Sequence, residues 1–244
     1  MIAEPLIWKV DDIDLQNVIF TKLQKNKKGG YSLNLKHNNN GNLSNIYIQT
    51  PRMFCPFGAI SFGKENKKYT INLSFENKNN NPLLEDLYNK FNELDDIVTN
   101  NFLSNPAWLK ALDINKYNFD EIRSLQNCLI KYSKNKENNP PYLNIKLNSF
   151  NNDKFLTEIF DSKKNKINLT FDNIENTLVP SIYSKALIHI VGMWFLNGRF
   201  CITLRALQFV LYPNDKLRGY SFMDFSDEEN ISDDEDNDMD VIEL

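Results

Sequence analysis

The chain has 244 residues, 41% hydrophobic and 12% aromatic, which is enough to bury a sizeable core and too apolar for a wholly unfolded chain. Its net charge of −4 hides two unlike parts: 11 of the 32 acids lie in residues 224–244, which hold no Lys or Arg, so residues 1–223 carry 21 acids against 28 basic residues and a net of +7. The longest apolar run, ALIHIVGMWFL, is 11 residues and too short to span a bilayer, and the N-terminal MIAEPLIWKVDD lacks the basic start and apolar run of a secretion signal.

In chain order, YSLNL (31–35) and SNIYIQT (44–50) alternate polar and apolar residues across the turn-forming HNNNGN, and KKYTINLSF (67–75) alternates again with Tyr69, Ile71, Leu73 and Phe75 on one face. The period then changes. Asn81-Pro82 is a helix start, and Leu84, Leu87, Tyr88, Phe91, Leu94, Val98 and Phe102 follow at helical spacing, which predicts a helix over about 82–103. NPAW (105–108) and the capping-box pattern NFDE (118–121) start two further short helices. Strands resume with NCLIKYS (127–133), PYLNIKLN (141–148), KFLTEIFD (154–161) and KINLTF (166–171). Asn197-Gly198 between two long apolar runs predicts a β-hairpin, and the apolar character of both arms predicts that it is central and covered on both faces. The expected fold is mainly β, an OB-fold-like Greek-key barrel or sandwich, with a helical insert at about 82–124. The expected domains are a globular body over 1–223 and an acidic, disordered tail over 224–244.

Three clusters join aromatic to basic residues. YIQTPRMFCPFGAISFGKENKKYTINLSF (47–75) sets Arg52, Phe54 and Phe57 in a Pro- and Gly-broken stretch read as a loop, with Lys64, Lys67 and Lys68 beyond it. IKYSKNKENNPPYLNIK (130–146) brings Lys131, Tyr132, Lys134 and Lys136. The hairpin tip brings Arg199 beside Trp194, Phe195 and Phe200. Single-stranded nucleic acid needs these residue types together, because bases stack on aromatic faces while cations follow the phosphates. Competing readings stand beside this one. Tyr69, Phe75 and Trp194 alternate within strands and are expected in the core; Phe54 and Phe57 could plug a barrel end; lysines in Asn-rich loops are often merely solvated.

Signals for catalysis are missing. No GxxxxGK[ST] occurs, and His37 and His189 share no metal-ligand spacing with a Cys. His189, on an apolar strand, is expected to be a satisfied core histidine, and Asp95-Asp96 a solvated helix face. Cys55, Cys128 and Cys201 are far apart and odd in number, which predicts reduced thiols. No catalytic residue, metal or cofactor is expected. A polyanionic tail tethered beside a basic groove can compete for it, or serve as a handle for partners through Asp233, Asp234, Glu235, Asp236 and Leu244.

YIQTPRMFCPFGAISF followed by KKYTINLSF, then LIKYSKNKENNPPYLNIKL and ALIHIVGMWFLNGRFCITLRALQF, resembles three ordered blocks of the single-stranded-DNA-binding proteins of nucleocytoplasmic large DNA viruses, over roughly residues 30–212. The resemblance implies an OB-fold core related to that of a short-tailed-phage DNA-binding protein. It also implies an acidic C-terminal tail, a role in replication and recombination, and no catalytic chemistry. It places the TPRMFCPFG loop and the KYSKNKE segment along the DNA. Phage-type tails typically end in an aromatic residue, whereas this chain ends DVIEL. The expected partners are single-stranded DNA and, through the tail, viral replication proteins, with no membrane and with self-association left open. The expected location is the viral factory in the host cytoplasm, with the virion as a second. A scaffolding protein that recruits basic partners through the tail, and a polymerase or nuclease accessory with an acidic metal site, are the alternatives.

Overall fold

Asn197 and Gly198 take φ of 52° and 68°, the left-handed pair of a tight two-residue hairpin turn. They join the two longest strands in the computed structural model, which describes residues 7–26, 29–63, 67–114, 118–134, 139–150 and 154–213. In chain order the strands of the core are β1 (Tyr31–Asn39), β2 (Ile46–Gln49), β3 (Met53–Cys55), β4 (Ala59–Phe62) and β5 (Lys68–Ser74). Helices α1 (Pro82–Leu103), α2 (Pro106–Ala111) and α3 (Phe119–Leu125) follow, then β6 (Tyr142–Leu147), β7 (Ile182–Leu196) and β8 (Arg199–Tyr212).

Strand β7 pairs along one edge with β8, from Tyr183 opposite Tyr212 to Leu196 opposite Arg199. Its other edge is shared in turn by β1, β2 and β3. β3 passes the ladder to β5 at Phe54 and Ser74, β5 lies antiparallel to β6, and β6 lies parallel to β8 through Lys146 opposite Arg205. The circuit β7-β3-β5-β6-β8-β7 closes, which leaves none of these five strands as an open edge. This is a mainly β, OB-like Greek-key barrel with a helical insert between β5 and β6. β1 reaches β7 beside a register slip at Gly192, where a Cβ would stand 2.1 Å from the Leu33 carbonyl oxygen, so only glycine lets the two backbones approach.

The interior takes every second residue: Ile71 and Leu73 from β5, Leu143 and Ile145 from β6, Ile188 and Ile190 from β7, and Leu204 and Ala206 from β8, whose parity changes at a register shift so that Phe209 and Leu211 follow. α1 closes one end. Asn81 caps it by accepting from the Leu84 N–H at 3.4 Å, Pro82 takes the first turn, and Leu87, Phe91, Leu94, Val98 and Phe102 are fully or almost fully buried on one stripe. Phe102 meets Phe200 at 4.5 Å and Phe195 at 5.6 Å between ring centres. The short helices begin where expected, at Asn105-Pro106 and at the Asn118–Glu121 capping box.

Several predicted strands are shorter than their patterns. NCLIKYS contributes only to the pairs Gln126–Asn127 and Ile130–Lys131, KFLTEIFD divides into Lys154–Phe155 and Glu158–Phe160, and KINLTF pairs only at Lys166–Ile167. Gln126–Asn127 and Glu158–Phe160 pair with β8 and Ile130–Lys131 with β6, whereas Lys154–Phe155 pairs with Ser149–Phe150 and Lys166–Ile167 with Glu158–Phe160, and each of these ladders ends after two or three residues. The hairpin is central, but its outward face is not covered throughout: Lys185, His189 and Arg205 are partly exposed there, and Trp194 more so. The three cysteines are unbridged.

Asp95 and Asp96 do not share a solvated face. Asp96 pairs with Arg123 at 3.1 Å, while Asp95 is fully buried and accepts from the Leu129 N–H at 2.7 Å and the Gln126 Nε2 at 2.6 Å. The carboxylate thus ties α1 to the segment that presents Lys131. Burial raises its carboxyl from the ordinary 3.8 to about 7, against the Leu129 N–H and the charges of Arg123 and Lys131, which lower it. Between those values the folded chain holds a proton that the unfolded chain has released, so this contribution to stability is complete below about pH 4 and declines as pH rises to about 7. Asp95→Ala leaves two buried donors unmatched and is expected to cost about 2–4 kcal/mol in urea melts. Asp95→Asn is expected to cost less and to flatten the decline in stability between pH 4 and 7; an unchanged pH profile would show that Asp95 is not its source.

Candidate functional site

Alternation that buries one side of a strand presents the other. With Tyr69, Ile71 and Leu73 inward, β5 turns Lys68, Thr70, Asn72 and Ser74 outward; β6 turns out Tyr142, Asn144 and Lys146, and the first half of β8 turns out Arg199, Cys201, Thr203 and Arg205. These three runs adjoin. Ser74 lies opposite Tyr142, Asn72 opposite Asn144, and Lys146 between Thr70 and Arg205. Asn144 Nδ2 donates to Asn72 Oδ1 at 2.7 Å. Thr70, Asn72 and Ser74 are outward yet only 7%, 8% and 2% exposed, because their short side chains form a floor beneath longer neighbours. A cleft of about 730 Å³ opens where the face meets the hairpin tip, lined by Lys68, Lys146, Arg199, Arg205, Trp194 and Leu196. A smaller one of about 260 Å³ shares Lys146 and adds Lys131.

Five cations therefore line these clefts, and among the described residues no carboxylate does. None of the five pairs with a carboxylate among the described residues; the ion pairs there join Arg123 to Asp96, Lys166 to Glu158, Lys90 to Glu93 and His37 to Asp14. His189 registers the same imbalance. It lies outward on β7, between Tyr47 and Arg205 in register, with its ring 5.0 Å from that of Tyr47. Burial, then Arg205, then Lys36 push its imidazole down to about 4. It is thus a half-buried outward residue and not the satisfied core histidine expected, and its Nε2 meets no hydrogen-bond partner among the described residues. Among those residues no group of three or more His, Cys, Asp or Glu could hold a metal ion.

The fold gathers some of the predicted residues and separates others. Lys68, Lys131 and Arg199 share the cationic face, with Lys67 exposed next to Lys68. Tyr132 is exposed beside it, its hydroxyl 2.6 Å from that of Tyr88, and Lys134 is exposed further on. Lys136, Lys64 and the tail residues lie outside the described residues. Arg52 stands elsewhere, its guanidinium 4.9 Å from the Tyr183 ring centre and 4.6 Å from that of Tyr212. Phe54 belongs to β3 and not to a loop, because Met53–Cys55 pairs with β7, and its ring lies 5.2 Å from Tyr183. Phe57 is apart from both groups, 62% exposed on a turn whose Gly58 lies against the backbone of Leu178–Pro180.

Tyr69 and Phe75 are buried as expected, but Trp194 is 43% exposed, because Phe195 takes the inward position beside it. The reading from sequence passed over Lys146 and Arg205. The signal was present: each is a lone cation at the outward position of a strand otherwise apolar on the other side, in LNIKL and TLRAL.

The arrangement is that of an OB-like barrel whose strands β5, β6 and β8 carry a cationic face that no carboxylate pairs among the described residues. No protein-family model and no curated protein sequence matches the chain. Among solved structures it is similar to a C-terminal truncation of the single-stranded DNA-binding protein from bacteriophage Enc34, with a TM-score of 0.43 and 11% identity over 82% of this chain and 98% of that one. It is also similar to gp2.5, a single-stranded DNA-binding protein encoded by bacteriophage T7, with a TM-score of 0.37 and 10% identity over 71% of this chain and 98% of that one. At this level of similarity neither neighbour assigns a function to the chain.

The His189 ring is expected to stay neutral down to about pH 4 in ¹H–¹⁵N spectra of the imidazole. Titration near the ordinary 6.5 would show that the face is less cationic, or the ring less buried, than described.

Proposed function

We propose that the chain binds single-stranded DNA, with little sequence preference, along the outward face of β5, β6 and the first half of β8. The observation that carries this reading is the cationic face itself: Lys68, Lys131, Lys146, Arg199 and Arg205, with no carboxylate lining it among the described residues, beside the exposed Trp194. Phosphates supply the missing negative charge, and releasing their counterions drives binding. Trp194 and Tyr142 offer ring faces to unstacked bases, each worth roughly 1–3 kcal/mol. The floor of Thr70, Asn72 and Ser74 gives room for bases to approach without a fixed code of charged hydrogen-bond partners.

The finer reading draws on the sequence resemblance and on the charge split. The protein acts without catalysis in the replication and recombination of a large DNA virus, in the viral factory of the host cytoplasm. Its acidic segment, 224–244, competes with DNA for the basic face and offers replication proteins a docking handle.

Fluorescence anisotropy on labelled oligo-dT tests the face. Trp194→Ala is expected to weaken binding by about 1–3 kcal/mol. Lys146→Ala and Arg205→Ala are each expected to lower the slope of log affinity against log salt by about 0.7. Duplex of equal length is expected to bind more weakly, since its bases are hidden; equal affinity for the two would end the reading.

Deleting residues 226–244 is expected to raise affinity for oligo-dT, most strongly at about 50 mM salt and less as salt is added, because salt screens a tethered polyanion and DNA alike. The melting temperature is expected to stay nearly constant. Truncated protein that binds no more tightly than the full chain at low salt would leave the tail as a docking handle or a solubilising segment.

A further inference from the structure

Arg52 presents an unusual setting for a surface arginine. Its guanidinium lies over the rings of both Tyr183 and Tyr212, which are cross-strand partners at the open end of the β7–β8 hairpin, and Phe54 flanks Tyr183 on the next strand. It has no ion pair and no hydrogen-bond acceptor among the described residues, although the residue is exposed. A guanidinium held over ring faces is oriented by them and keeps its five N–H donors at its edge. That edge suits a phosphodiester, and the rings beside it suit a base.

The position of this group relative to the cationic face gives it a consequence. Both lie on the outward side of one strand, β8, with Arg205 at one station and Tyr212 at the other. Six residues lie between them, seven strand steps or about 23 Å, and the register shift at Leu207 is what keeps both on the outward side. Gln208 and Val210 lie outward between them, with Lys185 opposite Val210. Glu158 borders the path at Gln208, where it is neutralised by Lys166 at 2.5 Å. A stacked strand advances about 3.4 Å per nucleotide, so the gap corresponds to roughly seven nucleotides, and to fewer if the strand is stretched.

We propose that Arg52, Tyr183 and Tyr212 form a second, separate phosphodiester-and-base station, so that one DNA strand runs along β8 and must exceed a threshold length to engage both stations. This inference rests on the single-stranded DNA reading above and adds to it a direction of travel and a length dependence. A short oligonucleotide meets one station; a long one gains the second as a tethered contact, at the high effective concentration that tethering gives.

The test compares affinities for oligo-dT of about 4 and about 16 nucleotides, lengths chosen to lie on either side of the gap. The wild-type protein is expected to prefer the longer one well beyond the statistical gain from extra registers. Arg52→Ala and Tyr212→Ala are each expected to reduce the long-to-short affinity ratio about tenfold, whereas Arg205→Ala is expected to weaken both lengths together. Melting temperatures check that each variant folds, and Arg52→Lys, which keeps the charge and drops the planar fork, reads the same ratio if Arg52→Ala does not. An unchanged ratio in the folded Arg52 and Tyr212 variants would overturn the second station and leave the cationic face standing. Wild-type protein that binds neither length would overturn the binding reading and the second station with it.

Discussion

Closure of the barrel is the constraint from which the rest of the structure follows. Once β7 pairs with β8 on one edge and with β1, β2 and β3 on the other, each strand residue must point into the sealed interior or out of it. A charged side chain has no tolerable place inside, since desolvating an unpaired ion costs several kcal/mol even after relaxation. The parity of each strand is then set by its apolar residues, and the outward positions are free to accumulate charge. The face of Lys68, Lys146 and Arg205 is the complement of the core of Tyr69, Ile145 and Leu204, and neither set can move by one residue without exchanging places with the other.

Much of this was legible in the sequence, and the failures have identifiable causes. The helix over Pro82–Leu103 and the turn at Asn197-Gly198 are local events, decided by a cap, a proline and two left-handed residues, and local chemistry announces them. The mainly β character follows from alternation. The site was harder, because it is assembled by pairings distant in sequence. Lys146 meets Arg205 only because β6 runs parallel to β8, and no local pattern states that register. Trp194 shows the limit in another way. Hydrophobicity favours burial for either aromatic of Trp194-Phe195, and only the slip in register at Gly192 settles which one turns inward. Arg52 and Phe54 looked like a loop because two prolines flank them, yet three residues between those prolines are enough to pair with β7.

Buried polar side chains tie together segments that are distant in sequence. Asp95 sits at the base of the segment that carries Lys131, and its two accepted hydrogen bonds fix that segment to α1 across a gap of more than thirty residues. Thr50 does similar work at β7, where its hydroxyl accepts from the Ala186 N–H at 2.9 Å and its own N–H donates to the Ala186 carbonyl at 2.8 Å. Both satisfy backbone groups that the interrupted ladders would leave without partners, and burial strengthens the geometry of each.

Under the proposed function, the same segregation is what would let such a face select single strands. Cations alone attract any polyanion, duplex or single-stranded, and a flat lysine field would not distinguish them. Here the cations stand around recessed, uncharged floor residues, with aromatic rings at the margins. A duplex presents its phosphates outward at fixed spacing and keeps its bases stacked, so it can satisfy the cations but not the rings. An unpaired strand can satisfy both, because its bases turn independently of its backbone. Discrimination on this reading needs no base-specific hydrogen bond: it arises from placing charge and ring faces on one rigid wall, where only a ligand with separable backbone and bases can reach the two together.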